Sequence, residues 1–127
     1  MKYKDGVSQD GLRPEIIKVL PALDRLWLLQ TGFELTITCT TGSHPKVDPH
    51  PWGFAIDCRT HGLSIDKVTS LKHVVQNLLG PHYFVQYEPE VVENGEVIKG
   101  EHFHIQLRKD IWRAIVRSEG YLEIPEV

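Results

Sequence analysis

The chain reads as one α+β domain, residues 1–127, with a small and largely antiparallel sheet flanked by helices. Two observations predict this. Apolar residues recur at helical spacing from Pro14 to Gly32, from Ile65 to Leu79 and from Ile111 to about Ser118. Between these stretches lie short alternating runs rich in β-branched and aromatic residues, the pattern of half-buried strands. The resulting order is helix, strands, helix, strands, helix, with no internal repeat and no low-complexity tract.

Residues 1–11 are polar, carry Gly6 and Gly11, and read as an arm. Pro14 suits the first turn of a helix, where its missing N–H costs nothing, and Ile16, Ile17, Leu20, Leu23, Leu26, Trp27 and Leu28 follow at helical spacing. Pro21 falls inside that pattern and should kink the helix or divide it in two. Beyond Gly32, Phe33 to Thr41 alternates as a strand. Residues 42–53 hold Gly42, Pro45, Pro49, Pro51 and Gly53, which is loop chemistry, and Phe54 to Cys58 alternates again. An amphipathic helix then starts at Ser64 or Asp66 and stops at Gly80-Pro81. Tyr83 to Pro89 reads as a strand, Val91 to Ile98 as a hairpin around Asn94-Gly95, and His102 to Leu107 as a further strand after a bend at Gly100. Asp110 is placed to cap the last helix, which Gly120 ends.

At 127 residues the chain can bury a core without staples, and its 41% hydrophobic and 24% charged content is ordinary for a globular protein. Its net charge of -3, with the basic residues scattered, argues against a nucleic-acid partner. Cys39 and Cys58 cannot build a disulfide framework and read as buried thiols in strands. The first residues lack the apolar segment of a signal peptide, and no apolar run is long enough to span a membrane. A monomer made in the cytoplasm is expected.

The chemistry concentrates in Val47 to Arg59. His50 stands seven residues before Asp57, with Gly53 and Ala55 between them, so the chain can turn sharply and send Ala55 and Asp57 to one face of a strand. Far downstream, Gly100-Glu-His-Phe-His-Ile-Gln-Leu107 presents His102 and His104 on one face, with Glu101 beside them. Taken singly, His50 is an ordinary loop histidine, Asp57 a turn carboxylate, and His-x-His what any half-exposed strand shows. Together they offer two nitrogens and one oxygen around an open fourth position, the ligand set of a catalytic zinc.

His50-Pro-Trp-Gly53-Phe-Ala55-Ile-Asp57 followed by Glu101-His-Phe-His104 resembles the zinc peptidases of the D-alanyl-D-alanine carboxypeptidase, VanX/VanY and phage L-alanyl-D-glutamate endopeptidase group, whose fold is shared by the Hedgehog signalling domain. The resemblance spans the chain from about residue 14 onward. It implies a Hedgehog/DD-peptidase-like fold, zinc ligands His50, Asp57 and His104, Glu101 as general base and acid, and His102 where some members carry a catalytic histidine. Alternation sets Glu101 on the face opposite His104, so the assignment requires a bulge or bend at Gly100. Asp48 replaces the family's serine two before the first histidine and could orient His50. The family's substrate-holding arginine is absent from Thr40-Thr-Gly-Ser43, leaving Lys46, His44 or Arg59 as substitutes.

The implied function is a zinc metallopeptidase acting on peptidoglycan stem peptides, as a carboxypeptidase or an endopeptidase, phage-encoded and released to the wall. The alternative is a metal-binding module of the same fold without turnover, and the weakest reading is a structural domain with incidental histidines. Trp52 could line a groove or pack. His61, His73 and His82 read as ordinary, and Glu88, Glu90, Glu93 and Glu96 as solvated surface.

Overall fold

The computed structural model of the chain describes residues 1–42, 47–122 and 124. The loop candidates His44 and Lys46 therefore lie outside the described residues. The first helical stretch is divided, as Pro21 predicts, into α1 (Pro14–Ile17) and α2 (Leu20–Thr31). Pro21 occupies the opening turn of α2, the one place in a helix where a residue without an N–H fits, and Gly32 closes the helix in the left-handed conformation. Helix α3 (Ile65–Leu79) begins at Ser64, whose hydroxyl accepts the Lys67 N–H, and gives way at Gly80. Helix α4 (Lys109–Ser118) starts earlier than expected. Its N-cap is Arg108 without a side-chain bond, and Asp110 sits in the first turn, where a carboxylate complements the helix dipole.

Strands β1 (Lys2–Tyr3), β2 (Thr36–Cys39), β3 (Ala55–Arg59), β4 (Tyr83–Glu88) and β7 (His102–Leu107) form one sheet in the order β1-β2-β3-β7-β4. That sheet is mixed, not the largely antiparallel one expected, because β1 runs parallel to β2. Its source is the supposed N-terminal arm. The Lys2 and Lys4 N–H groups bond to the Leu35 and Ile37 carbonyls, the terminal amino group lies 3.1 Å from Asp24 and 2.9 Å from Glu34, and α1 and α2 supply the crossover that parallel neighbours need. A separate hairpin, β5 (Val91–Glu93) with β6 (Glu96–Lys99), turns at Asn94 (φ 52°) and Gly95 (φ 79°), the positive angles a two-residue turn demands.

One apolar cluster joins Leu23 and Trp27 of α2, Leu71 and Val75 of α3, and Trp112 and Val116 of α4 to Phe54, Ile56, Cys58, Val85, Phe103 and Ile105. Burial of each large side chain contributes roughly 1.5–3 kcal/mol before entropy is counted. Strand alternation then turns Ala55, Asp57, His102, His104 and Gln106 to the opposite face, so the packing that fixes β3 and β7 also aims these residues. Among the described residues, no helix is long and apolar enough to cross a membrane.

Candidate metal centre

His50 opens a short 3-10 turn, His50–Trp52, which ends at Gly53 (φ 82°). A Cβ on Gly53 would lie 2.1 Å from the Gly11 carbonyl oxygen, so no other residue fits this turn unchanged. Arg13 secures the turn from outside. Its N–H and Nε–H donate to the carbonyls of Gly53 and Trp52, its guanidinium forms a two-point ion pair with Glu119, and it lies 4.7 Å over the Phe54 ring. Trp52 packs edge-on against Tyr121, with ring centres 4.6 Å apart.

On the sheet face, Asp57 and His104 are paired directly across β3 and β7. Asp57 Oδ1 lies 3.2 Å from His50 Nε2 and 3.2 Å from His104 Nδ1, and the two imidazole rings stand 5.1 Å apart. The outer nitrogens decide what these contacts mean. His50 Nδ1–H donates to the Thr40 carbonyl at 2.6 Å, and His104 Nε2–H donates to Gln106 Oε1 at 2.7 Å. Gln106 in turn donates its amide N–H to the Leu107 carbonyl, which fixes the direction of that amide. Both neutral rings thus present a lone pair to one carboxylate oxygen, an arrangement that needs a positive charge between or upon them. Committing the outer N–H to a carbonyl is also how metal-binding histidines are oriented.

Without metal, protons meet the need. Burial pulls His50 down, but its hydrogen bonds and charge interactions with Asp57 and Cys39 outweigh this and raise it to about 10. Burial lifts the Asp57 carboxyl, and the bonds from His104 and His50 overcome it and hold the group well below the usual carboxylate range.

Cys39 completes the cluster, with its ligating atom and those of His50 and Asp57 all within 4.8 Å of one another, so this trio can hold a metal ion. Simple alternation puts Cys39 on the core side with Leu35 and Ile37. The register slips between Ile37, opposite Cys58, and Cys39, opposite Asp57, and this irregularity carries Cys39 onto the site face. Nothing in the Thr-rich run marks where such a slip falls, whereas Cys58 is buried as expected.

His102 shares the face of His104. Its Nδ1–H donates to the Gly100 carbonyl, and its Nε2 lies 2.9 Å from Glu88 Oε2 and 3.7 Å from Asp57 Oδ2. Glu88, read from sequence as surface, is its cross-strand partner on β4. Lys99 of the hairpin reaches 3.9 Å from both Asp57 and Glu88. Glu101 is not brought into this group. Glu101 lies just before β7, whose pairing with β4 runs without a slip from His102 to Leu107, and it accepts a 2.6 Å hydrogen bond from the Tyr87 hydroxyl. That bond, with burial, pushes the Tyr87 phenol up to about 12.

A cleft of about 310 Å³ opens over His50, Asp57 and His104, with Asp48, Glu88 and Lys99 on its walls. A larger hollow of about 710 Å³ shares Gln106 with it and continues toward Phe84, Arg108 and Lys109, away from the histidines. Comparisons with protein-family models, curated proteins and solved structures return no match. The cleft combines buried ligating groups, tautomers fixed from behind, and the hydrogen-bonded pair of His102 and Glu88.

Proposed function

We propose that the chain is a zinc metallopeptidase that hydrolyses a peptide bond in peptidoglycan stem peptides, of the D-alanyl-D-alanine carboxypeptidase or L-alanyl-D-glutamate endopeptidase type. The observation that carries this reading is the convergence of His50 Nε2 and His104 Nδ1 on Asp57 Oδ1, with both outer N–H groups already committed to carbonyl oxygens. His50, Asp57 and His104 would hold the metal, a nitrogen–nitrogen–oxygen set that suits zinc and leaves a position for substrate, with Cys39 beside them. Zinc at such a site supplies Lewis acidity and a water that ionises near pH ~7.

The chain's own residues supply proton transfer and orientation. His102 Nε2 faces Glu88 Oε2 at 2.9 Å, and the Nδ1–H of the ring is already donated to Gly100. This pair can take a proton at the mouth of the cleft and return it to a departing amine. Glu101 then serves by anchoring Tyr87.

The test is zinc analysis of purified protein together with mass spectrometry of a muropeptide digest. Wild type should hold one zinc per chain and cleave. His102→Ala should keep zinc and lose cleavage by roughly 10²-fold or more, while Glu101→Gln stays active. The reverse result returns the proton-carrying role to Glu101. The position of Glu101 also favours a second reading, a metal-binding module without turnover. Full zinc loading with no cleavage of any stem peptide would select it.

A further inference from the structure

Cys39 has no part in the reaction just described, yet it is built into the metal centre. The register slip in β2 sets it opposite Asp57, and cross-strand neighbours stand about 4.5–5.5 Å apart at Cβ. Its Sγ comes 3.9 Å from His50 Nδ1, and the ligating atoms of Cys39, His50 and Asp57 all lie within 4.8 Å of one another. It faces not the cleft over the histidines but a second cavity, of about 610 Å³, which Asp57 also borders and which the hairpin residues Val97 and Ile98 line from the other side.

Two physical arguments make this sulfur a ligand. The first is geometric. Zinc bonds of about 2.0–2.2 Å to nitrogen and oxygen and about 2.3 Å to sulfur set tetrahedral edges of roughly 3.4 Å between nitrogen and oxygen and roughly 3.6 Å from sulfur to either. His50 Nε2 and Asp57 Oδ1 already stand 3.2 Å apart, as do His104 Nδ1 and Asp57 Oδ1. With its separations inside 4.8 Å, the sulfur needs a shift of roughly 1.2 Å at most to reach its edge. The second argument is charge. Asp57 alone leaves a divalent ion with one positive charge uncompensated among buried side chains, and Lys99 and Glu88 offset each other at the rim. A thiolate neutralises the centre, which removes the cost of burying that charge.

We propose that Cys39 is a fourth protein ligand of the metal, a thiolate that approaches from the hairpin-side cavity and leaves the cleft side of the ion to water and substrate. Binding exchanges the S–H bond for an S–metal bond and releases the proton to solvent. Such a ligand set selects a thiophilic divalent ion such as zinc against magnesium, calcium or manganese. Zinc can expand to five ligands during reaction, so a substrate oxygen can still join it. The inference rests on the metal centre of the proposed function and does not depend on cleavage.

Cobalt(II) in place of zinc supplies a spectroscopic test without turnover. Cobalt-loaded wild type should show a near-ultraviolet sulfur-to-cobalt charge-transfer band, which imidazole and carboxylate ligands do not produce. The chain has two cysteines, so Cys58→Ala should keep the band and Cys39→Ser should lose it. In competition with a chelator at fixed pH, Cys39→Ser should bind zinc roughly tenfold or more weakly than wild type, at least the loss that an outer-shell partner brings. The proposal is overturned if cobalt-loaded wild type lacks the band, a result that needs no variant to fold, if Cys39→Ser keeps it, or if Cys39→Ser binds zinc as tightly as wild type. Protein that takes up neither metal overturns the whole centre. Protein that shows the band and cleaves no stem peptide supports the thiolate ligand and removes only the peptidase reading.

Discussion

Replacing Gln106 by leucine tests the metal centre through a residue that would never touch the metal. In the folded chain the His104 Nε2–H donates to Gln106 Oε1 at 2.7 Å, and this bond keeps the proton on the outer nitrogen and the lone pair on Nδ1, 3.2 Å from Asp57. Leucine preserves the bulk of the side chain and offers no acceptor. The ring then loses its preference for that tautomer and part of its orientation, while the His104 side chain, only 12% exposed, has little water to turn to. Losing such an outer-shell bond typically weakens metal binding 10- to 100-fold, about 1.4–2.7 kcal/mol. The assay is competition for zinc against a chelator of known affinity, at fixed pH because the ligands bind protons as well as metal. Gln106→Glu, which restores an acceptor, should recover wild-type affinity or exceed it. If Gln106→Leu binds zinc as tightly as wild type while His104→Ala does not, the orienting role is refuted. If both bind normally, His104 is not a ligand.

Among single substitutions at the cluster, His50→Ala, Asp57→Ala and His104→Ala should each strip zinc, and full occupancy in all three by metal analysis would refute the ligand set. Gly53→Ala should destabilise the fold by about 2–4 kcal/mol in denaturant titrations, since it combines a left-handed backbone with a clash against the Gly11 carbonyl; a change below about 0.5 kcal/mol would mean that the turn relaxes freely. The Tyr87 phenol is raised to about 12 by Glu101, so in this folded pair the protonated form is favoured. Its contribution to stability is complete below the ordinary phenol pKa near ~10 and is lost as pH climbs through about 12. Ultraviolet titration of Tyr87 should therefore show a high pKa that falls in Glu101→Gln, and an unchanged value would place Glu101 elsewhere.

Much of the framework was legible because it depends on local rules. The break in the first helical stretch follows from Pro21, the start of α3 from Ser64, one of the two caps the sequence offers, and the hairpin turn from Asn94-Gly95. Alternation also places Asp57 on the face opposite the core-facing Phe54, Ile56 and Cys58. What escaped depends on pairing between strands distant in sequence. The strand at Lys2–Tyr3 is too short to show a pattern, and only the free edge of β2 makes it one. Cys39 belongs to the site because of a slip against β3, and Glu88 because β4 brings it opposite His102. Neither fact has a local signature.

Glu101 shows how a spacing can mislead when the backbone geometry it assumes is absent. A carboxylate three residues before a histidine shares its face in a helix, and in a strand it shares that face only if the strand is broken between them. Here β7 is clamped between β3 and β4, and every residue from His102 to Gln106 is paired on both sides. A bulge in that stretch would unpair the central strand of the cleft and turn Phe103 and Ile105 out of the core, at a cost of several kcal/mol in burial alone. The regular strand is therefore the lower-energy solution. It leaves Glu101 just before the paired stretch, where Tyr87 supplies its partner, and it turns His102 toward Asp57. The acid opposite His102 is then drawn from β4. Glu88 needs no backbone distortion, because cross-strand neighbours already stand ~4.5–5.5 Å apart at Cβ and their side chains close the remaining distance to 2.9 Å.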